Sequence, residues 1–186
     1  MEHIRGYLQE LSAAVAGLDL DGVRRIRDLC QTAREQGRQV FTCGNGGSAA
    51  TASHLANDLG KGASCGRQQR FRVTALTDCV PWLTALANDI SYEAVFAEQL
   101  RNLGQPGDLL IAISGSGNSP NVLAAVAAAR ELGMTSVGLT GFGGGKLARL
   151  VDVPLVVGCS HMGRVEDVHL VVAHLICYYF MEQAPA

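Results

Sequence analysis

The segment FTCGNGGSAATASHLANDLGKG, residues 41–62, joins a β-prone run to a glycine-rich turn and then to a helix. The run is Gln39-Val40-Phe41-Thr42-Cys43, and the turn holds Gly44, Asn45, Gly46, Gly47 and Ser48. Small residues there let backbone N–H groups approach an anion, and the start of the helix adds a favourable dipole. Further along, His54 and Asp58 lie four residues apart and share one helix face. An anion cradle and a polar, metal-competent pair are thus set on one strand–turn–helix unit.

The rest of the chain repeats that alternation. Two amphipathic helices are predicted over 2–17 and 21–36, with Asp19 or Asp21 starting the second. Strands are predicted at 39–43, 71–76, 108–113, 135–140 and 153–157, and helices at 48–60, 81–88, 91–103, 119–132 and 164–181. Continuously apolar strands such as Leu109-Leu110-Ile111-Ala112-Ile113 call for a sheet covered on both faces. The expected fold class is α/β, a three-layer doubly wound sandwich around a five-stranded parallel sheet. In such folds ligands gather beyond the carboxyl ends of the strands, where both glycine-rich turns lie.

Bulk properties narrow the function classes. With 186 residues, one domain spanning 1–186 is expected, residues 1–37 forming an N-terminal helical pair. A formal net charge of −2 and the lack of a basic stripe argue against nucleic-acid binding. No apolar run is long enough to span a bilayer, and the amphipathic start lacks the apolar core of an export signal. The six cysteines, Cys30, Cys43, Cys65, Cys79, Cys159 and Cys177, form no CxxC pair. They read as buried, reduced thiols of a cytoplasmic protein.

A second turn, ISGSGNSPNV (residues 113–122), follows the strand 108–113. Ser114, Ser116 and Ser119 alternate with glycines, Ser119 suits an N-cap, and Pro120 suits the first helical position. Hydroxyls and backbone donors at a helix start suit a phosphate monoester. Neither turn matches the dinucleotide fingerprint or the P-loop. GFGGG, residues 141–145, reads as a flexible turn. Asn88 and Asp89 end one helix before another begins, and capping is the plain reading of Asp89. The C-terminal helix carries Glu166, His169 and His174 among apolar residues. Taken alone, each histidine reads as a hydrogen-bonded core or interface residue. Together with His54 and Asp58, the pair Glu166 and His174 supplies two imidazoles and two carboxylates for one divalent ion, zinc foremost.

These pieces, CGNGGSAATASH, LANDISYE, ISGSGNSPNV and RVEDVHLVVAHL, resemble the sugar isomerase (SIS) domain family, and within it the bacterial phosphoheptose isomerases. The resemblance covers nearly the whole chain. It implies that Asn45, Gly46, Gly47 and Ser48 contact a sugar phosphate, that Ser114, Gly115, Ser116 and Ser119 hold its phosphate, and that Asn88, Asp89, Asp58 and Glu166 contact substrate. It implies metal ligands His54, Asp58, Glu166 and His174, with one zinc per subunit, and catalytic roles for Asp58 and His174. Asp58 stands where these isomerases carry a glutamate, and Glu166 where they carry a glutamine.

The implied activity is aldose–ketose isomerisation of sedoheptulose 7-phosphate through an enediol(ate), by a cytoplasmic homotetramer that binds neither nucleic acid nor membrane. The alternatives are a non-catalytic SIS domain that binds a phosphosugar or a replication initiator as a regulator, and an isomerase of another phosphorylated ketose.

Overall fold

The computed structural model describes residues 1–182. Five strands, β1 Gln39–Cys43, β2 Arg72–Ala75, β3 Leu109–Ser114, β4 Thr135–Thr140 and β5 Val153–Val156, form one sheet in the order β2-β1-β3-β4-β5. Every neighbouring pair is parallel. The helices are α1 Glu2–Ala16, α2 Leu20–Glu35, α3 Gly47–Asn57, α4 Val80–Asp89, α5 Ala97–Leu103, α6 Pro120–Glu131, α7 Leu147–Leu150 and α8 Met162–Glu182. The α/β sandwich and its five parallel strands follow the expectation, with strand ends shifted by a residue at most at β2, β3 and β5.

Strand periodicity decides which helices cover which face. Val40, Leu109, Ile111 and Ile113 pack with residues of α2, α3 and α8, whereas Phe41, Leu110 and Ala112 pack with α5 and α6. All six residues of the central strand β3 are buried. The two N-terminal helices differ. Val23, Ile26, Cys30 and Ala33 of α2 are buried, and Asp19, not Asp21, caps it by accepting the Gly22 N–H at 2.9 Å. Only Ala14 of α1 is buried, and Ile4 and Leu8 stay exposed.

Strand order reverses between β1 and β3. The chain leaves β1 into α3 on one face and leaves β3 into α6 on the other. A crevice opens where those two connections diverge, at the carboxyl end of the sheet.

Two predicted helices are interrupted. The helix expected at 91–103 is a 3₁₀ turn, Tyr92–Ala94, followed by α5. Val95 and Phe96 between them are 0% and 1% exposed, so the chain dives into the core there. Ser91, rather than Asp89, caps the 3₁₀ turn. The helix expected at 48–60 ends as α3 at Asn57 and widens into one π turn, Asp58–Gly62, in which the Ala63 N–H reaches the Asp58 carbonyl at 2.8 Å.

GFGGG is not a free turn. Gly143, Gly144 and Gly145 all have positive φ, and the segment abuts the second glycine turn backbone to backbone. Gly141 donates to the Gly115 carbonyl at 2.9 Å, and Leu147 donates to that of Gly117 at 2.9 Å. A Cβ on Gly117, where φ is +65°, would run into the Gly144 carbonyl. The expectation for the cysteines holds for half of them: Cys30, Cys43 and Cys177 are buried, Cys65 and Cys79 are exposed, and Cys159 is intermediate. Among the described residues, no helix is long and apolar enough to cross a membrane.

His169 of α8 is 0% exposed, and among the described residues its ring nitrogens make no well-formed hydrogen bond beyond a weak contact with the Thr140 backbone. Burial pushes its pKa down from 6.5 to about 4, and the adjacent Thr140 backbone opposes that shift only partly.

Two outcomes follow from this packing. Gly117→Ala is expected to destabilise the fold by about 2 kcal/mol or more in urea denaturation, since strain at positive φ and a backbone clash add. For His169, the unfolded chain holds a proton that the folded chain lacks between pH of about 4 and 6.5, so stability falls as pH drops through that window. Between pH 7 and pH 5 the wild type should lose about 2 kcal/mol more than a His169→Leu variant, measured by the same denaturation at both pH values.

Candidate active site

The two glycine-rich turns meet in one cleft. Asn45, Gly46, Gly47, Ser48, Ser114, Gly115, Ser116, Ser119 and Glu166 line an open cleft of about 270 Å³, with Ile113 and Met162 as its apolar members. Every turn residue expected to meet a sugar phosphate therefore faces this cleft. Gly46, the N-cap of α3, has no side chain to cap it. Ser119 stands at the N-cap of α6 but does not bond the helix. Its hydroxyl lies 3.0 Å from that of Ser114 instead. Neither N-cap side chain thus bonds its helix start, although Asn121 Oδ1 accepts from the Val122 N–H of α6 at 3.0 Å, and an anion in the cleft would meet the positive ends of both helices.

A hydrogen-bond network joins the turns. Asn45 and Asn121 exchange amide bonds, Nδ2 to Oδ1 in each direction at 2.8 Å. The Tyr92 hydroxyl adds a third bond, to Asn45 Oδ1 at 2.9 Å. Asn121 and Tyr92 lie inside the motifs ISGSGNSPNV and LANDISYE, yet only coordinates reveal that they meet Asn45, because their partner is distant in sequence.

About two helical turns from Gly47, α3 presents His54 to α8, and the π turn that follows presents Asp58. His54 Nε2 is 3.2 Å from Asp58 Oδ2 and 3.1 Å from His174 Nε2. One donor atom from each of the three residues lies within 4.8 Å of the others. The side chain of Asp58 is 15% exposed and that of His54 is 42%, so the group opens to the surface. Beside it, Val171, Leu175, Tyr178 and Tyr179 line a broad surface cleft with His174.

Two like imidazole nitrogens at 3.1 Å require either a proton between them or a shared cation. Tetrahedral zinc with bonds of about 2.0–2.1 Å separates its ligands by about 3.3 Å. The observed 3.1 and 3.2 Å edges suit such an ion, and the N₂O donor set suits zinc.

Glu166 does not join this group. It precedes His174 by eight residues, about 12 Å along α8. Its carboxylate packs on Gly47, where an added Cβ would lie 2.5 Å from Oε1. The structure brings three of the four expected ligands together within one protomer, and Glu166 lines the cleft of the glycine turns instead. Asn88 and Asp89 do not line the cleft; they are exposed and bond each other at 2.8 Å.

Known proteins share both the sequence and the fold. The SIS domain family model matches residues 5–141. A phosphoheptose isomerase from Nitratidesulfovibrio vulgaris is 48% identical over 142 residues, which is 76% of this chain and 68% of the relative. The structure of a phosphoheptose isomerase from Neisseria gonorrhoeae superposes with a TM-score of 0.89 at 33% identity, covering 96% of this chain and 97% of that one. One from Francisella tularensis gives 0.91 at 28% identity, covering 98% of each chain. The chain belongs to the SIS domain family and, within it, to the phosphoheptose isomerases.

Proposed function

We propose that the protein isomerises sedoheptulose 7-phosphate to D-glycero-D-manno-heptose 7-phosphate. The observation that carries this reading is the placement of a polar, anion-accepting cleft and a His/Asp/His group on the same pair of helices, α3 and α8. Gly47 and His54 are seven residues apart on α3, about 10 Å. An extended chain advances about 1.2 Å per bond. Eight bonds from C1 to phosphorus in a heptose 7-phosphate therefore span about the same length.

The roles then divide along that length. Asn45, Gly46, Gly47, Ser48, Ser114, Gly115, Ser116 and Ser119 anchor the phosphate end, and its binding energy holds C1 and C2 near Asp58 and His174. One of those two side chains removes a proton from C1 of the ketose while O2 gains one, leaving a cis-enediol(ate). The other delivers a proton to C2 as O1 gives its proton up, and the aldose results. His54, Asp58 and His174 would hold the zinc ion, which supplies polarisation of the substrate oxygens. Glu166 sets a negative charge in the phosphate end, and Asn88 and Asp89 are assigned to substrate contact only within an assembly.

That assembly is a homotetramer in this reading, working in the cytoplasm. Exposed Leu175, Tyr178 and Tyr179 flank His174, and Ile4 and Leu8 leave α1 half unpartnered. A second copy seated there would bury these apolar groups and shield the reaction centre from water. A regulator without catalysis would have no need of three metal-competent side chains brought within 4.8 Å of one another.

Three measurements check this. Asp58→Asn and His174→Gln should each lower turnover of sedoheptulose 7-phosphate at least about a hundredfold while inorganic phosphate still binds; near-wild-type turnover in both removes the assignment. Metal analysis should find about one zinc per subunit, lost in His54→Ala and on chelation. Glu166→Gln should strengthen binding of inorganic phosphate by about three- to tenfold, because a like charge leaves the cleft.

A further inference from the structure

The amide network around Asn45 fixes what that residue can offer a ligand. The backbone N–H of Val122 can only donate, and it lies 3.0 Å from Asn121 Oδ1. That contact orients the Asn121 amide without regard to the usual oxygen–nitrogen ambiguity. Asn121 Nδ2 must then be the group facing Asn45 at 2.8 Å, so the atom it meets is the carbonyl oxygen Oδ1. The Tyr92 hydroxyl donates to the same oxygen at 2.9 Å. Both acceptor sites of Oδ1 are consequently filled from within the protein. Nδ2 gives one of its two N–H groups to Asn121 Oδ1 at 2.8 Å. One N–H of Asn45 remains, on a residue that lines the cleft.

We infer that Asn121 and Tyr92 are positioning residues which lock the Asn45 amide as a one-donor, no-acceptor group. Asn45 then donates to an acceptor oxygen of the phosphosugar, whether of its phosphate, carbonyl or a hydroxyl, and offers nothing to a group that can only donate. This inference rests on the phosphosugar reading of the cleft. The lock has an inner and an outer half. Asn121 is 2% exposed and sits at the start of α6, so it ties the first turn rigidly to the second. Tyr92 is 54% exposed and reaches in from the 3₁₀ turn after α4. Without Tyr92, Oδ1 regains a free acceptor site, and the amide is held from one side only.

Tyr92→Phe isolates this effect, because the ring is exposed and only the hydroxyl is lost. Calorimetric titration of the full-length chain with inorganic phosphate and with sedoheptulose 7-phosphate, together with steady-state kinetics, reads it. Tyr92→Phe should weaken binding about three- to tenfold, in line with loss of one orienting hydrogen bond, and should raise KM by a similar factor with kcat within about twofold. The decisive comparison is a cycle: in an Asn45→Ala background, Tyr92→Phe should change nothing further. Weakening of both probes assigns the Asn45 donor to a phosphate oxygen, and weakening of the sugar phosphate alone assigns it to a sugar oxygen; either supports the lock. Unchanged affinity for both probes overturns it, as does an equal loss in the Asn45→Ala background, which would mark Tyr92 as merely structural. Phosphate binding without isomerisation by the wild type would sink the proposed reaction while the phosphate titrations still decide the lock. Failure of the wild type to bind either probe would sink both.

Discussion

The close approach of α3 to α8 over one face of the sheet is the constraint on which the site depends. α3 is built for it: Ala52, Leu55 and Ala56 are buried, and beyond them Gly62 lies where a Cβ would collide with Met181 of α8. Small residues at such a crossing let two helices sit near contact distance, and apolar side chains on either side drive them together. With the helices so placed, His54 and Asp58 meet His174, and at the other end Gly47 meets Glu166. The glycine-turn cleft and the His/Asp/His group are two consequences of one packing arrangement. Their separation is set by helix rise, a rigid ruler, and not by loop conformation.

Asp58, where the family resemblance implies a glutamate, acquires a physical context from that arrangement. The shorter carboxylate still comes within 3.2 Å of His54 Nε2. Asp58 is also the first residue of the π turn, where the helix widens by one residue per turn. Such π turns recur at functional sites because they re-aim side chains that an α-helix would fix. Glu166 is the converse case. Its carboxylate lies against Gly47 in the cleft of the glycine turns, at the positive end of α3, and outside the His54/Asp58/His174 group.

Much of this was legible in the chain. β1 and β4 match their predicted bounds, because apolar runs ending in glycine turns leave few alternatives. The cleft residues were legible too, since a short turn keeps its members together wherever it lies. Three things were not. The break at Val95 and Phe96 carries no glycine or proline; it comes from a demand of the core that only the tertiary structure states. Glu166 shares a helix with His174, and sequence spacing showed that they lie on a similar face without showing which end of the neighbouring helix each would meet. GFGGG reads as a flexible turn in the sequence because glycine runs signal conformational freedom, whereas the positive φ values of Gly143, Gly144 and Gly145 serve backbone contact with the second turn.

The central claim is that α3 and α8 build a proton-transfer site for a phosphosugar. The direct measurement is incubation of the purified protein with sedoheptulose 7-phosphate in deuterated water, followed by NMR of the recovered sugars. The account predicts an aldose product, with deuterium at C2 of the aldose and at C1 of the recovered ketose, as an exchanging enediol(ate) requires. Recovery of unlabelled ketose with no aldose, from protein that still binds inorganic phosphate, would contradict it and leave an anion-binding cleft without a reaction centre.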